Sequence, residues 1–313
     1  MNKIAFIFPG QGSQQVGMGA SLVKENESAA KFYREADEKL GFSLSQICFK
    51  GPDEKLQYTA ITQPAILTTS VALYQAFMEK ASIAPAFVAG HSLGEYTALV
   101  AAGVISFPDA VLTVHKRGKW MDEAVPAGKG AMAAVLKLEK EKLELICEAV
   151  SQEIGIVEIA NYNSADQIVI SGERDAVVEA SKRAEAEGAR KVIPLAVSGP
   201  FHSSLMQPAA QHLTAELEQV HLADGRVPLV SNVTARAVNK RDEIIRLLVD
   251  QVTSPVRFEE SIQFMIDQGV TVFIEFGAGR VLTGLIKKID RKVKTLGVYD
   301  AESIDSVIAE IGC

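Results

Sequence analysis

The sequence of 313 residues is poor in cysteine, with only Cys48, Cys147 and Cys313. These three lie far apart and form no C-x-x-C pair, which argues against both a disulfide framework and a zinc site. An odd, scattered set of cysteines is typical of reduced thiols. We therefore expect a cytoplasmic protein whose last residue, Cys313, is exposed.

The chain also lacks basic charge in excess and long hydrophobic runs. Its net charge of −7 argues against a nucleic-acid partner. No apolar stretch approaches the roughly 18 residues that span a membrane, so we expect no membrane association. The apolar run Ile4–Phe8 is stopped by Pro9 and Gly10, which indicates a strand and not a signal peptide.

One local concentration of basic residues comprises Lys287, Lys288, Arg291, Lys292 and Lys294. A run of this kind is ordinarily a solvated helix face or loop. The alternative is a docking patch for an acidic partner.

Hydrophobic residues make up 48% of the chain and charged residues 23%, as in an ordinary globular enzyme. Strands alternate with helices in most of it, which favours a mostly parallel α/β sheet. The predicted elements of this part are the strands Lys3–Phe8, Ala86–Ala89, Val227–Ser231 and Thr271–Phe276, and the helices Ser28–Leu40, Pro64–Lys80, Glu95–Ala102, Pro108–Trp120, Met206–Val220, Asp242–Val249 and Glu259–Gln268.

The middle of the chain has a different order of elements, β-α-β-β-α-β, which is the ferredoxin-like pattern. It follows the linker-like segment Pro126–Gly130, and the chain returns to the large domain at Ser198. We expect a large domain of residues 1–127 and 198–313 and an insert of residues 128–197. The insert's predicted elements are Ala131–Leu138, Lys140–Gln152, Val157–Tyr162, Gln167–Ser171, Asp175–Glu187 and Lys191–Val197.

The segment Gly90-His91-Ser92-Leu93-Gly94 lies between a predicted strand and a predicted helix. A serine between two glycines at such a turn is the pattern of a nucleophile elbow. A G-x-S-x-G string can also occur by chance, and a serine before a helix is often only an N-cap. The strand before it and the helix after it favour a catalytic Ser92 that forms an acyl ester.

Serine is a weak nucleophile at neutral pH, so Ser92 needs a base. The chain has five histidines. His202 lies in a loop between a strand and a helix, where functional side chains concentrate, and it is the candidate base. His91 is interpreted as a packing group beside the nucleophile. His115, His212 and His221 lie in or after helices and are interpreted as core or surface residues.

An oxyanion needs preorganised donors, and the amide of Leu93, directly after the nucleophile, is one candidate. The loop Gly10-Gln11-Gly12 can supply a second donor. A dinucleotide fingerprint is excluded there because position 15 is Gln15 and not glycine. Arg117 is either a surface arginine, which composition favours, or a planar fork for a substrate carboxylate. No zinc-protease or P-loop motif is present, and we expect no metal site.

Several motifs together resemble the malonyl-CoA:acyl carrier protein transacylases of type II fatty acid synthesis, essentially from end to end. They are Phe8–Gln14, Gly90–Tyr96, Arg117 with Gly118, Asn161–Ser164, Gly199–Ser203 and Ser254–Val256. The resemblance implies an α/β fold, with an α/β-hydrolase-like large domain containing a parallel sheet plus the inserted ferredoxin-like small domain. Gly277-Ala278-Gly279 departs from the family's Gly-Pro-Gly. This difference concerns a structural turn and not the residues expected to react.

The resemblance also implies roles for individual residues. Ser92 would be the nucleophile and His202 its base, oriented by the backbone carbonyl of Gln251. The amides of Gln11 and Leu93 would form the oxyanion hole. Arg117 would bind the malonyl carboxylate, and Gln167 would line the acyl pocket.

The predicted function is malonyl transfer from malonyl-CoA to the phosphopantetheine thiol of acyl carrier protein, by a ping-pong mechanism through a malonyl-serine ester. We expect no resident cofactor, since the phosphopantetheine belongs to the partner, and the family suggests a monomer. One alternative is a serine esterase or thioesterase that uses water, with Asp250 as a possible third triad member. Another is a carrier-docking module with an inactive elbow.

Overall fold

The computed structural model describes residues 3–312, so the expectation that Cys313 is exposed lies outside the described residues. Two sheets organise the chain, a six-stranded sheet and a separate four-stranded sheet. The strands are β1 Ile4–Phe8, β2 Phe87–Gly90, β3 Gly130–Leu136, β4 Val157–Ser164, β5 Gln167–Glu173, β6 Lys191–Pro194, β7 Leu229–Val230, β8 Ala237–Val238, β9 Val272–Phe276 and β10 Lys294–Val298. The chain is thus a mixed α/β protein.

The helices come in the following chain order. They are α1 Leu22–Glu25, α2 Glu27–Leu40, α3 Leu44–Lys50, α4 Asp53–Leu56, α5 Thr59–Lys80, α6 Gly94–Ala101, α7 Phe107–Glu123, α8 Lys140–Glu153, α9 Arg174–Ala186, α10 Gln207–Leu217, α11 Arg241–Thr253, α12 Phe258–Asp267, α13 Val281–Ile289 and α14 Ala301–Ile311, with a 3₁₀ turn at Ser204–Met206 before α10.

The large sheet has the order β10-β9-β1-β2-β7-β8, and all its pairs are parallel except β7 with β8. Strand β1 therefore lies inside the sheet, with β9 on one side and β2 on the other. Its side chains alternate between two faces. Phe6 and Phe8 pack in the larger core with α5, whereas Ala5 and Ile7 pack in a second core with α12 and α13.

The small sheet is antiparallel with the order β4-β5-β3-β6. On β3, Ala133 and Val135 pack against α8 and α9, whereas Met132 and Ala134 face the core of the larger unit. The β4 edge is also tied down, because Tyr162 N–H donates to Val256 O and Val256 N–H donates to Ala160 O, each at 2.8–2.9 Å. One face and one edge of the small sheet are therefore held by the large unit.

Several predicted boundaries are wrong, and two of them bear on the site. Helix α5 begins at Thr59 and not at Pro64. Proline leaves the carbonyl four residues earlier without its helical donor, and here His115 Nδ1 lies 2.7 Å from Ala60 O and replaces that donor. Helix α11 runs to Thr253 and not to Val249, which places Gln251 in its last turn.

The other differences lie at strand ends and near the C-terminus. The strand predicted to reach Val197 ends at Pro194, although the amide of the next residue, Leu195, still donates to Met132 O of β3 at 2.9 Å. Short helices α1, α3 and α4, strands β8 and β10, and helix α14 were not predicted. Cys48 and Cys147 are free and buried.

Candidate active site

Ser92 lies at the turn between β2 and α6, with a φ of 50° in the left-handed region. Side chains are excluded on both sides of this turn. A Cβ on Gly90 would lie 1.9 Å from the carbonyl carbon of Gly94, and a Cβ on Gly94 would lie 2.0 Å from Phe8 O. The two glycines of the motif are therefore required by close backbone approach, as an elbow demands.

The side chain of Asn232, which follows the adjacent strand β7, stabilises the turn at Ser92 through two hydrogen bonds. Its Oδ1 accepts from Ser92 N–H at 2.7 Å, and its Nδ2 donates to Gly90 O at 2.6 Å. Sequence analysis did not predict this role. The only signal available for Asn232 was its position directly after a strand, because such positions line ligand sites in parallel sheets.

Ser92 and His202 meet across a sequence separation of 110 residues, with Oγ 2.7 Å from Nε2. His202 Nδ1 lies 2.9 Å from Gln251 O. The last carbonyls of a helix have no intrahelical donor, and Gln251 belongs to the last turn of α11. A backbone carbonyl therefore occupies the place that a carboxylate takes in a Ser-His-Asp triad.

Asp250 does not occupy that place. Its carboxylate instead lies 3.9 Å from Arg246 Nη1, and its side chain is 44% exposed. The alternative of an acidic third member at Asp250 is therefore wrong.

Burial, and after it the positive charge of Arg117, lower the pKa of His202 to about 3. His202 is consequently a neutral base at pH 7, with Nδ1–H donated to the carbonyl and Nε2 free to accept from Ser92. Burial likewise lowers the pKa of His91, whose Nε2 lies 2.8 Å from Asn163 Oδ1. His91 is a packing group, as expected.

Arg117 on α7 is 1% exposed and is not a surface arginine. Its Nη1 donates to Gln63 Oε1 and its Nη2 to Gln251 Oε1, both at 2.9 Å. The guanidinium lies 5.5 Å from the Tyr96 ring centroid, and Nη2 lies 3.4 Å from Ser92 Oγ. A cation with uncharged hydrogen-bond partners beside a nucleophile is suited to an acyl group that carries its own negative charge.

A cavity of about 400 Å³ contains Ser92, His202 and Arg117 together with Gln11 and Leu93. Within residues 3–312, the amides of Gln11 and Leu93 donate to no protein acceptor, whereas the Ser92 amide is occupied by Asn232. Two free N–H groups beside the nucleophile are what an oxyanion requires.

Two predicted site residues, Gln251 and Gln167, do not line this cavity. Gln251 contacts its lining residues His202 and Arg117. Gln167 begins strand β5 and lines a neighbouring cavity of about 370 Å³ that shares Gln11 and His91 with the first. Gln167 therefore lies next to the catalytic cavity, and its place in the acyl pocket stays a prediction.

Two further features concern ligands and membranes. Among the described residues, no three His, Cys, Asp or Glu side chains are grouped to hold a metal ion. Between residues 3 and 312, no helix is both long enough and apolar enough to cross a membrane.

Comparison with known proteins gives one consistent result. The family model for the acyl transferase domain matches residues 5–307. The malonyl CoA-acyl carrier protein transacylase of Bacillus subtilis (strain 168) is 51% identical over 308 residues, covering 98% of this chain and 97% of the relative. The protein of the same name from Staphylococcus aureus (strain MRSA252) is 44% identical over 97% of this chain and 98% of its own length.

Solved structures agree with these relatives. The malonyl CoA-acyl carrier protein transacylase of Coxiella burnetii superposes with a TM-score of 0.96 at 41% identity, covering 98% of this chain and 97% of that one. A malonyl-transacylase in complex with its type II PKS acyl-carrier protein also gives 0.96, at 42% identity over 98% of this chain and 99% of the other.

Proposed function

Since the chain belongs to the acyl transferase family, and within it to the malonyl CoA-acyl carrier protein transacylases, we propose that it moves a malonyl group from malonyl-CoA to acyl carrier protein. The chain is an acyltransferase. The observation that carries the choice of acyl group is the buried Arg117, whose Nη2 lies 3.4 Å from Ser92 Oγ. That distance places a cation where the far end of a short dicarboxylic acyl group would lie.

In the first half-reaction, Ser92 Oγ attacks the thioester carbonyl while His202 Nε2 takes the serine proton. The tetrahedral oxyanion accepts hydrogen bonds from the Gln11 and Leu93 amides, and each such donor is typically worth about 3 kcal/mol of barrier. The C–S bond then breaks, and His202 returns the proton to the leaving thiolate of CoA. The product is a malonyl ester on Ser92, its carboxylate held by Arg117.

In the second half-reaction, the phosphopantetheine thiol of acyl carrier protein attacks the ester and His202 takes the thiol proton. Breakage of the C–O bond returns that proton to Ser92, so the cycle closes without net change in the enzyme. This order is a ping-pong mechanism. Because each step transfers only a proton or an acyl group, no resident cofactor is required.

The imidazolium formed in each half-reaction is stabilised by the Gln251 carbonyl at the end of α11. The C-terminal end of a helix carries partial negative charge, which favours a cation there. Gln251 thus takes the orienting part that an aspartate plays in hydrolases.

We propose that Gln167 also borders the path of the pantetheine arm. The neighbouring cavity that it lines shares Gln11 and His91 with the catalytic cavity, which supports an approach of the thiol from that side. The role in the acyl pocket that the resemblance implies for Gln167 stays a prediction.

The topology supports the proposed domain division. In the small sheet the β-α-β-β-α-β elements occur in the order β4-β5-β3-β6, which we interpret as a ferredoxin-like insert of residues 128–197. Of the described residues, 3–127 and 198–312 then form the large unit, which is α/β-hydrolase-like in its elbow between a parallel strand and a helix. A cytoplasmic location and a monomeric state also remain predictions, the first supported by the unpaired Cys48 and Cys147.

Hydrolysis is the competing function, since water could replace the carrier thiol at the same ester. The uncharged partners of Arg117 argue for retention of a charged acyl group, and the following experiment distinguishes the two acceptors.

The test is intact-protein mass spectrometry after mixing with malonyl-CoA without acceptor. We expect one malonyl adduct on the wild type, weak adduct formation with acetyl-CoA, and none on Ser92→Ala. Addition of holo acyl carrier protein should discharge the adduct onto the carrier. Steady release of free CoA without an adduct would identify a thioesterase instead, and absence of both would refute acyl chemistry at Ser92.

The same assay tests Arg117. We expect Arg117→Ala to slow malonyl adduct formation by about a hundredfold, because two charge-assisted hydrogen bonds are lost. Acetyl transfer should be much less affected. Arg117→Lys keeps the charge but not the planar fork, so its rate of malonyl adduct formation should lie between those of the wild type and Arg117→Ala. Unchanged malonyl kinetics in Arg117→Ala would show that Arg117 does not belong to the site.

A further inference from the structure

Glu95, in the first turn of α6, is a fully buried carboxyl group that the proposed reaction does not use. Its Oε2 accepts from Gln251 Nε2 at 2.7 Å and from Asn232 N–H at 3.2 Å. Its Oε1 has no hydrogen-bond partner within residues 3–312. A carboxyl group buried with half of its acceptors unused is costly to keep, so its place behind the nucleophile requires an explanation.

The Gln251 side chain links this carboxyl group to the arginine of the site. Its Oε1 accepts from Arg117 Nη2 at 2.9 Å while its Nε2 donates to Glu95. A reversed amide would turn its NH₂ toward the guanidinium and its oxygen toward the carboxyl oxygen, and it would lose both hydrogen bonds. Nε2 also donates to Ser92 O at 3.1 Å and lies 3.3 Å from Asn232 Oδ1, but its shortest hydrogen bond is the one to Glu95. Glu95 and Arg117 therefore make the strongest contacts that fix the orientation of this amide.

The orientation of the amide matters for the reacting groups on either side. Its acceptor oxygen sets the direction of Nη2 of Arg117, which lies 3.4 Å from Ser92 Oγ. Arg117 Nε has no partner within residues 3–312, so the guanidinium is held by its hydrogen bonds to Gln63 and Gln251, by the Tyr96 ring and by the weak contact with Ser92. Of these, the Gln251 acceptor is the one that sets the direction of Nη2, so its loss would let Nη2 turn away from Ser92.

We propose that Glu95 is a positioning residue for acyl-group selectivity: by accepting from the Gln251 amide, it holds the Arg117 guanidinium toward the Ser92 hydroxyl, where the carboxylate of the acyl group binds. This inference rests on the proposed function. It assigns to Glu95 no contact with substrate, and its effect is therefore on the choice of acyl group.

The experiment compares the rates of adduct formation with malonyl-CoA and acetyl-CoA in folded variants. Glu95→Leu removes the acceptor, and we expect the malonyl-to-acetyl rate ratio to fall at least tenfold. Glu95→Gln keeps an acceptor oxygen of the same reach, and its ratio should stay within about threefold of the wild type. Gln251→Met keeps the carbonyl used by His202 but removes the amide, so it should lower the ratio as Glu95→Leu does.

The double variant Glu95→Leu/Gln251→Met should show no further fall, because the two residues act through one link. Glu275→Gln is the matched control. Glu275 is also a buried acid, but it accepts from the Leu282 and Thr283 amides of α13. The malonyl-to-acetyl rate ratio of Glu275→Gln should therefore equal that of the wild type. Thermal unfolding of each variant establishes that it is folded. If Glu95→Leu does not fold, the rate ratio of Gln251→Met tests the proposal instead.

A wild-type ratio in folded Glu95→Leu or Gln251→Met would overturn the proposal, as would an equal fall in Glu95→Gln. These results are distinct from failure of the proposed function, which would appear as absence of a malonyl adduct on the wild-type protein.

Discussion

At the scale of single residues, burial shifts the pKa values of two groups of the site in opposite directions. Burial raises the pKa of Glu95 from 4.5 to about 7, although hydrogen bonds from Gln251 and Asn232 act against it. Burial lowers the pKa of His202 from 6.5 to about 3. The fold therefore favours the uncharged form of both groups.

The two shifts affect stability in opposite directions. The contribution of Glu95 is fully present below pH 4.5 and is lost as the pH rises through about 7, because the folded state binds the proton more tightly. The contribution of His202 is present above pH 6.5 and is lost as the pH falls toward 3, because the unfolded state binds the proton more tightly.

Glu95→Gln isolates the first effect, since glutamine does not titrate. We expect the free energy of unfolding of this variant, relative to the wild type, to rise by on the order of 3 kcal/mol between pH 4.5 and pH 8. Urea unfolding at both pH values measures it. A difference that does not change with pH would show that Glu95 titrates normally in the folded protein.

At the scale of elements, helices α5 and α7 approach so closely that Gly118, next to Arg117, must be glycine. A Cβ there would lie 2.6 Å from Thr59 O and 2.8 Å from Ala60 Cα, and both are backbone atoms that cannot turn aside. We expect Gly118→Ala to lower stability by about 1–3 kcal/mol and to raise the KM for malonyl-CoA as Arg117 is displaced.

The matched control is Gly284→Ala on α13, where an added Cβ meets nothing within 4 Å. This substitution should stabilise the helix by up to about 1 kcal/mol. Thermal unfolding of the two variants provides the stability comparison, and steady-state kinetics of Gly118→Ala measures the change in KM. Equal stability changes in the two variants would contradict the steric argument.

The same helix pair shows what sequence could and could not predict. The turn at Ser92 and the loop at His202 were predicted because their signals are local: two glycines at a strand end, and a histidine between elements. The start of α5 was not predicted, because Pro64 is tolerated only through the contact of His115 with Ala60 O, and His115 lies 55 residues from Ala60 along the chain. Gln63, Glu95 and Asn232 were missed for the same reason, since their roles arise only when distant elements meet.

At the scale of the whole molecule, the basic run lies beside the neighbouring cavity. Lys287 and Lys288 are exposed in the last turn of α13, and Lys288 lines that cavity, whereas Lys294 pairs with Glu310 at 3.1 Å. The run is thus in part a solvated helix face, and its position also fits the alternative of a docking patch.

We expect Lys288→Glu to raise the KM for carrier protein severalfold without changing that for malonyl-CoA, and to do so less at high salt because screening weakens surface charges. Lys24→Glu, an equal charge reversal at an exposed position on α1, should change neither constant. Equal effects of Lys288→Glu on both substrates would contradict carrier docking here.

The order of strands in the large sheet also governs how the protein is made. Strand β1 lies between β9 and β2, and β2 lies between β1 and β7. The first two strands synthesised therefore cannot pair on both edges until residues 229–230 and 272–276 have been made. A ribosome that has reached residue 200 has delivered Ser92 and Arg117 but neither His202 nor Gln251. Until its last third has been translated, the nascent chain therefore carries an unactivated serine and unpaired strand edges, which are the part of an unfinished sheet most open to pairing with other chains.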